Sequence, residues 1–348
     1  MKKNPKVLMI GTTEKSGGGI TSVLKSIKSM PVWQEYNIRW LGAQIQHNVF
    51  CKLYYAIKSA ILSPFIIWHY DIIHFHFVPG TGQLTLLPEL LFAKIYLKKV
   101  IMQIHVGDQL ERNAENRLFK WWLKKADLIV LLSERFRRLF MESFLDINSP
   151  VEVLYNVTES RHPIERTDKG KLIIMACRMD ANKAPDLLIN AWSQLKDKYP
   201  DWHVTIIGDG DVQYYKSLAE RLHLNGSVDF PGYLTGPAKD QFFQQASIYC
   251  MCSYEEGFPM SVLEAWSNYE ALITTPVGGL PDVITDGENC LVFPFGDIEI
   301  LKECLVRLIE DEDLRWNISL KGQNLVSEYF SVKSANEKLE KIYNSLSE

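Results

Sequence analysis

Short runs of β-branched and aliphatic residues alternate with longer amphipathic stretches through both halves of the sequence. That order suits parallel sheets, because neighbouring parallel strands need a crossover, and a helix supplies it while covering the sheet face. The class is therefore α/β. In the first half the strand-like runs are 6–10, 38–41, 72–77, 100–105, 128–132 and 151–155, with a helix expected after Gly19. In the second half they are 172–176, 203–208, 228–231, 248–252, 271–274 and 290–293, and from Asp297 onward the pattern is mostly helical, ending with 332–346. A chain of 348 residues exceeds one comfortable core, so two domains are expected. The polar stretch from Thr158 to Gly170 has no periodicity and reads as the linker, which sets the domains at 1–160 and 171–331.

A composition of 47% hydrophobic and 23% charged residues excludes disordered and fibrous classes. The six cysteines contain no CxxC pair, and several sit in apolar runs; they read as buried thiols in a reducing compartment. The apolar run after Met1–Pro5 is too short for a signal peptide. The most apolar stretch, 56–68, is interrupted by Lys58, Ser59, Ser63 and Pro64, so no transmembrane helix is expected and the location is read as cytoplasmic. A net charge of −4 hides an asymmetry: residues 1–165 carry +7 and 166–348 carry −11. The split suggests either that the first domain meets something anionic, a membrane surface or a phosphorylated acceptor, or a mere difference of solvated faces; no nucleic acid partner is expected.

The densest chemistry lies in 254–266, where a strand ends, a Gly-Pro turn follows and a helix begins near Met260. Unpaired N–H groups and the positive end of the helix dipole make such a start a seat for an anion or for sugar hydroxyls. Glu256 sits on the turn, and Glu264, about one turn into the helix, can accept hydrogen bonds from a ribose diol. Arg178 and Lys183 follow the strand at 172–176, at the kind of sheet edge where open α/β sheets bind ligands. Two fixed cations there can share the charge of a departing diphosphate. Read singly, each of these could be a cap or a solvated side chain. The glycine pair in 274–282 lets backbone approach a ligand, and Ser16–Thr21 puts Gly18 and Gly19 at a helix start that suits a phosphate. Neither segment is a Walker loop or a dinucleotide fingerprint.

With these residues in place, the chain resembles glycosyltransferase family 4, retaining enzymes of GT-B fold, over nearly its whole length and most closely from Lys171 to Phe295. The resemblance rests on the Glu256/Glu264 pair, the Arg178/Lys183 pair and Val277–Val283, in that family's arrangement. It implies two Rossmann-like domains with parallel sheets facing across a cleft, and a last helix, about 332–348, packed back on the first domain. It also implies roles. Arg178 and Lys183 would hold the donor diphosphate, and Glu264 the ribose. Glu256 with the backbone of Gly257, Phe258, Pro259 and Met260 would hold the transferred sugar. Gly18 and Gly19 would approach the diphosphate, and His105 would lie near sugar and acceptor. Two positions depart from the family pattern: Ala184 and Cys177 stand where glycine is common.

The activity this implies is retaining transfer from a nucleoside diphosphate sugar, UDP-sugar first, to an acceptor hydroxyl on a glycan or lipid-linked glycan in bacterial surface polysaccharide biosynthesis. The nucleotide sugar is a substrate; no cofactor and no metal are expected. Base contacts would come from main chain near Gly232 to Leu234. A nucleotide-sugar epimerase and a non-catalytic nucleotide-sugar-binding partner subunit stay open as alternatives. Asp209-Gly-Asp211 reads as a turn rather than a metal motif, and His74 with His76 as a strand-end pair. The basic-aromatic segments 117–125 and 136–140 fit either core-facing helices or peripheral contact with an anionic membrane on the inner face.

Overall fold

The computed structural model describes residues 4–45, 48–105, 107, 110–159, 161, 165 and 169–347. The chain divides into two compact units, Met1–Val157 with Val332–Glu348, and Thr158–Ser331. Among the described residues, twelve strands form two six-stranded parallel sheets, one in each unit. Part of the expected linker, including 162–164 and 166–168, lies outside the described residues.

In the first unit the strands are β1 (Val7–Thr12), β2 (Arg39–Gln44), β3 (Ile72–Phe77), β4 (Lys99–Ile104), β5 (Leu128–Leu131) and β6 (Val151–Val153). The helices are α1 (Gly19–Lys28), α2 (Val32–Glu35), α3 (Val49–Ile67), α4 (Thr81–Thr85), α5 (Leu87–Ile95), α6 (Arg117–Leu123) and α7 (Glu134–Ser143). The sheet order is β2-β1-β3-β4-β5-β6. Strands β1, β3 and β5 are buried along their whole length, as expected of parallel strands covered on both faces. Most of the aromatic side chains of α6 and α7 point inward, while Trp121 is 38% exposed with Lys125 over its ring. Phe119, Trp122, Phe136 and Phe140 are all in the core, and Lys120 and Lys124 pair with Asp146.

One expectation is corrected here. Lys58, Ser59, Ser63 and Pro64 do not break the apolar stretch: α3 runs through all four, starting from an Asn48 side-chain cap on Cys51 N, and at 19 residues it is long and apolar enough to cross a membrane by length and composition. Cys51, on this helix, is only partly buried.

In the second unit the strands are β7 (Leu172–Ala176), β8 (His203–Ile207), β9 (Val228–Gly232), β10 (Ile248–Met251), β11 (Ala271–Thr274) and β12 (Leu291–Val292). Its helices are α8 (Pro185–Ser193), α9 (Val212–Arg221), α10 (Pro237–Gln245), α11 (Met260–Ser267), α12 (Ile298–Glu310) and α13 (Glu312–Glu328). The order is β12-β11-β10-β7-β8-β9, around a core that includes Trp192, Ile206, Cys250 and Leu305. The last helix, α14 (Val332–Ser345), belongs to the first unit. There Tyr343 is fully buried, and Asn336 accepts from Val32 N at 2.8 Å.

Candidate functional site

Strand β7 has β8 on one side and β10 on the other, so the chain leaves its carboxyl end in one direction and returns beside it from the other. Such a switch point leaves a crevice outside the sheet edge, and two loops meet there: 177–184 after β7 and 252–259 after β10. The first loop is shaped by Asp180, whose Oδ1 accepts from Asn182 N and Lys183 N, both at 3.1 Å. It is buttressed from behind by the turn after β8. Met179 N donates to Asp209 O at 2.6 Å and Asp211 N to Met179 O at 2.9 Å. Gly208 and Gly210 have positive φ, and a Cβ on either would collide with the carbonyl of Cys177 or Met179. The Asp209-Gly-Asp211 letters thus describe a backbone support for the Arg178 loop.

The two loops are latched by one side chain that sequence reasoning did not single out. Asn182 donates from Nδ2 to Glu255 O at 3.1 Å and accepts at Oδ1 from Glu255 N at 3.0 Å, while Tyr254 N donates to Asn182 O at 2.7 Å. An amide matching a backbone N–H and C=O in this way can be found only with the loops in place.

Lys183 and Glu256 meet across the latched loops, Nζ 2.5 Å from Oε1, with side chains 21% and 15% exposed. Ser253 Oγ also donates to Glu256 Oε1, at 2.7 Å. This carboxylate therefore holds both a cation and a hydroxyl. Arg178 behaves differently: its Nε lies 3.8 Å from Asp180 Oδ2 in its own loop and its side chain is 68% exposed. Glu264 on α11 pairs with Lys239 of α10, Nζ to Oε2 2.5 Å. The four charges expected to converge therefore make three separate ion pairs on this edge, and only Lys183 with Glu256 joins the two motifs directly. Lys239 was not anticipated, because its partner lies 25 residues further along the chain.

Helix α11 begins at Met260 after Pro259, which supplies no side-chain cap. Phe258 is turned inward, buried against Phe330, so that segment offers a ligand only the backbone of Phe258. The glycine pair after β11 approaches protein backbone. Gly279 N donates to Gly257 O at 2.8 Å, and Gly278, at φ 65°, has no room for a Cβ beneath the Gly257 carbonyl. Ala184 sits at φ 45°, ψ 56°, left-handed geometry that explains why glycine is the easier residue there.

The first unit places His105, Gly18 and Gly19 at the carboxyl edge of its own sheet, after β4 and β1. Gly18 caps α1 at φ 94°, and a Cβ on Gly19 would meet open space. His76 is the next-to-last residue of β3 and His74 lies two residues further in, both buried, their rings 4.3 Å apart. They form a polar chain: Tyr343 Oη lies 3.1 Å from His74 Nδ1, and His76 Nδ1 lies 3.1 Å from His105 Nε2. Desolvation pulls His74 and His105 down to about 3 and lowers His76 as well, so all three imidazoles are neutral at pH 7. Among the described residues no group of three or more His, Cys, Asp or Glu is arranged to hold a metal ion.

Residues 156–325 match the family model for glycosyl transferases group 1. An uncharacterized glycosyltransferase of Haemophilus influenzae is 25% identical over 254 residues, 71% of this chain and 70% of that protein. The N-acetyl-alpha-D-glucosaminyl L-malate synthase of Bacillus anthracis is 22% identical, covering 78% and 74%. Among solved structures, Anabaena HepE in complex with UDP-glucose superposes with a TM-score of 0.74 at 18% identity over 98% of this chain and 100% of that one. Sucrose-phosphate synthase from Thermosynechococcus elongatus gives 0.80 at 15% identity over 98% and 99%. The fold is GT-B, and the matches support the glycosyltransferase class for the chain.

Proposed function

We propose that the chain transfers a glycosyl group, with retention of anomeric configuration, from a nucleoside diphosphate sugar to an acceptor hydroxyl of a bacterial surface glycan. The observation that carries this reading is the Lys183 ammonium fixed by Glu256 at the switch point between β7 and β10. A cation held in place before the reaction needs little reorganisation when charge grows on the departing diphosphate. Lys183, with the exposed Arg178 beside it, supplies that charge without calling on a divalent cation. Glu256 and the backbone from Gly257 to Met260 hold the sugar, and Glu264 receives the ribose hydroxyls. His105, neutral, serves as a hydrogen-bonding group near sugar and acceptor. UDP-sugar is the favoured donor, in keeping with the UDP-glucose held by HepE. Main-chain groups from Gly232 to Leu234 contact the base, and the reaction takes place in the cytoplasm.

The test is donor hydrolysis and transfer with a panel of UDP-, GDP- and ADP-sugars, comparing the wild type with Lys183→Ala. Turnover of the variant is expected to fall at least about 100-fold, on the order of 3 kcal/mol of lost transition-state stabilisation. A wild-type rate in the variant removes the leaving-group role of Lys183. Inversion at a sugar carbon without any acceptor would instead identify an epimerase.

A further inference from the structure

Helix α3 reverses the usual arrangement of a surface helix. Its buried residues are Ser59, Ser63 and Ile67, and Ser59 Oγ donates to Glu89 Oε1 of α5 at 2.5 Å. Its large apolar residues face out: Phe50, Leu53, Ile57, Ile61, Phe65 and the adjoining Trp68 are 50–84% exposed. Spaced three or four residues apart, they form one continuous stripe along the helix. The neighbouring α5 adds exposed Leu91 and Ile95. Soluble monomers rarely leave so much contiguous apolar surface uncovered.

The charges around the stripe indicate what covers it. Residues 36–70 contain no Asp or Glu, only Arg39, Lys52 and Lys58. The next two acids are both engaged: Asp71 accepts from Lys6 N at 2.8 Å, and Glu89 is buried on Ser59. At the C-terminal end of α3 the Trp68 ring meets Tyr96 edge-on at 5.2 Å, and the Lys98 ammonium lies 6.0 Å from the Trp68 ring centre while donating to Trp68 O. Aromatic rings with a polar tip beside a lysine suit the headgroup level of a bilayer.

We infer that the first unit docks on an anionic lipid bilayer with α3 lying in the membrane plane, its outer stripe at the acyl boundary and its lysines among the headgroups. The helix lies flat because its inner face is committed to β2 and α5, contacts a crossing helix would have to give up. The inference does not depend on the donor chemistry.

The test floats the purified full chain with vesicles of phosphatidylcholine alone and of phosphatidylcholine mixed with phosphatidylglycerol. Association with the anionic vesicles is expected, weakened by salt, and reduced at least about tenfold by the pair Ile57→Glu and Ile61→Glu with an unchanged circular dichroism spectrum. The milder pair Lys52→Gln and Lys58→Gln is expected to lower binding to the anionic vesicles while leaving any binding to neutral ones unchanged. Absence of vesicle binding, or binding that Ile57→Glu with Ile61→Glu leaves intact, overturns the inference. So does self-association in lipid-free solution that this pair abolishes, which assigns the stripe to a second copy of the chain. Resistance of the bound protein to alkaline extraction would show a crossing helix and refute the flat orientation.

Discussion

The two sheets share a plan but furnish their carboxyl edges in opposite ways. In each, the first strand is flanked by the second and by a later one: β1 lies between β2 and β3, β7 between β8 and β10. The edge of the second unit carries ion pairs, Lys183 with Glu256 and Lys239 with Glu264, on loops tied by Asn182. The first carries stacked neutral histidines and the glycine-led start of α1. Topology fixes where a ligand can bind; the side chains decide what chemistry is done there. In the proposed reaction the charged edge of the second unit receives the diphosphate.

The contrast can be broken most decisively by pH. Burial holds the folded-state pKa values of His74 and His105 at about 3, below the ordinary imidazole value of 6.5, and lowers that of His76 too. Protonation therefore favours unfolding: this contribution to stability is complete above about 6.5 and is lost as pH falls toward about 3. Segment-resolved hydrogen exchange at pH 7 and pH 5, corrected for the intrinsic exchange rate, should show the first unit losing protection on acidification and the second little. Equal losses in the two units would erase the distinction.

A smaller effect, in the second unit alone, is expected from Gly278→Ala. A left-handed alanine beneath the Gly257 carbonyl should cost about 2 kcal/mol in denaturant unfolding, and a neutral result would mean the glycine segment does not brace the site. Smallest of the three, Asn182→Ala removes two side-chain hydrogen bonds and should cost about 1 kcal/mol of stability, with a drop in turnover as Lys183 loses its fixed position. Turnover unchanged in that variant would show that the loops hold without the latch.

Much of this architecture is legible in the sequence, because strands buried on both faces declare themselves as apolar runs. The runs at 72–77, 172–176 and 271–274 coincide with β3, β7 and β11, and other strands differ mainly at their ends, as where β1 continues to Thr12 alongside β2. Helix α3 is misjudged for a physical reason: its serines face inward onto α5, so polar letters that read as interruptions mark its buried side. In the site, the charged residues stand out by type and position, but their partners do not. Lys239, Asn182 and Ser253 matter through contacts that only the folded loops create. The glycines at 208, 210 and 278 were visible as turns, while the carbonyls they make room for were not.

The first unit takes its final helix from beyond the whole of the second. Tyr343 and Tyr36 rest against each other at 5.3 Å, and Lys338 reaches Glu152, so residues made early need residues made late to complete their core. During synthesis the unit Thr158–Ser331 is therefore the first of the two to have all its residues. Its N-terminal neighbour must wait, with the Tyr343 slot open, until α14 leaves the exit tunnel.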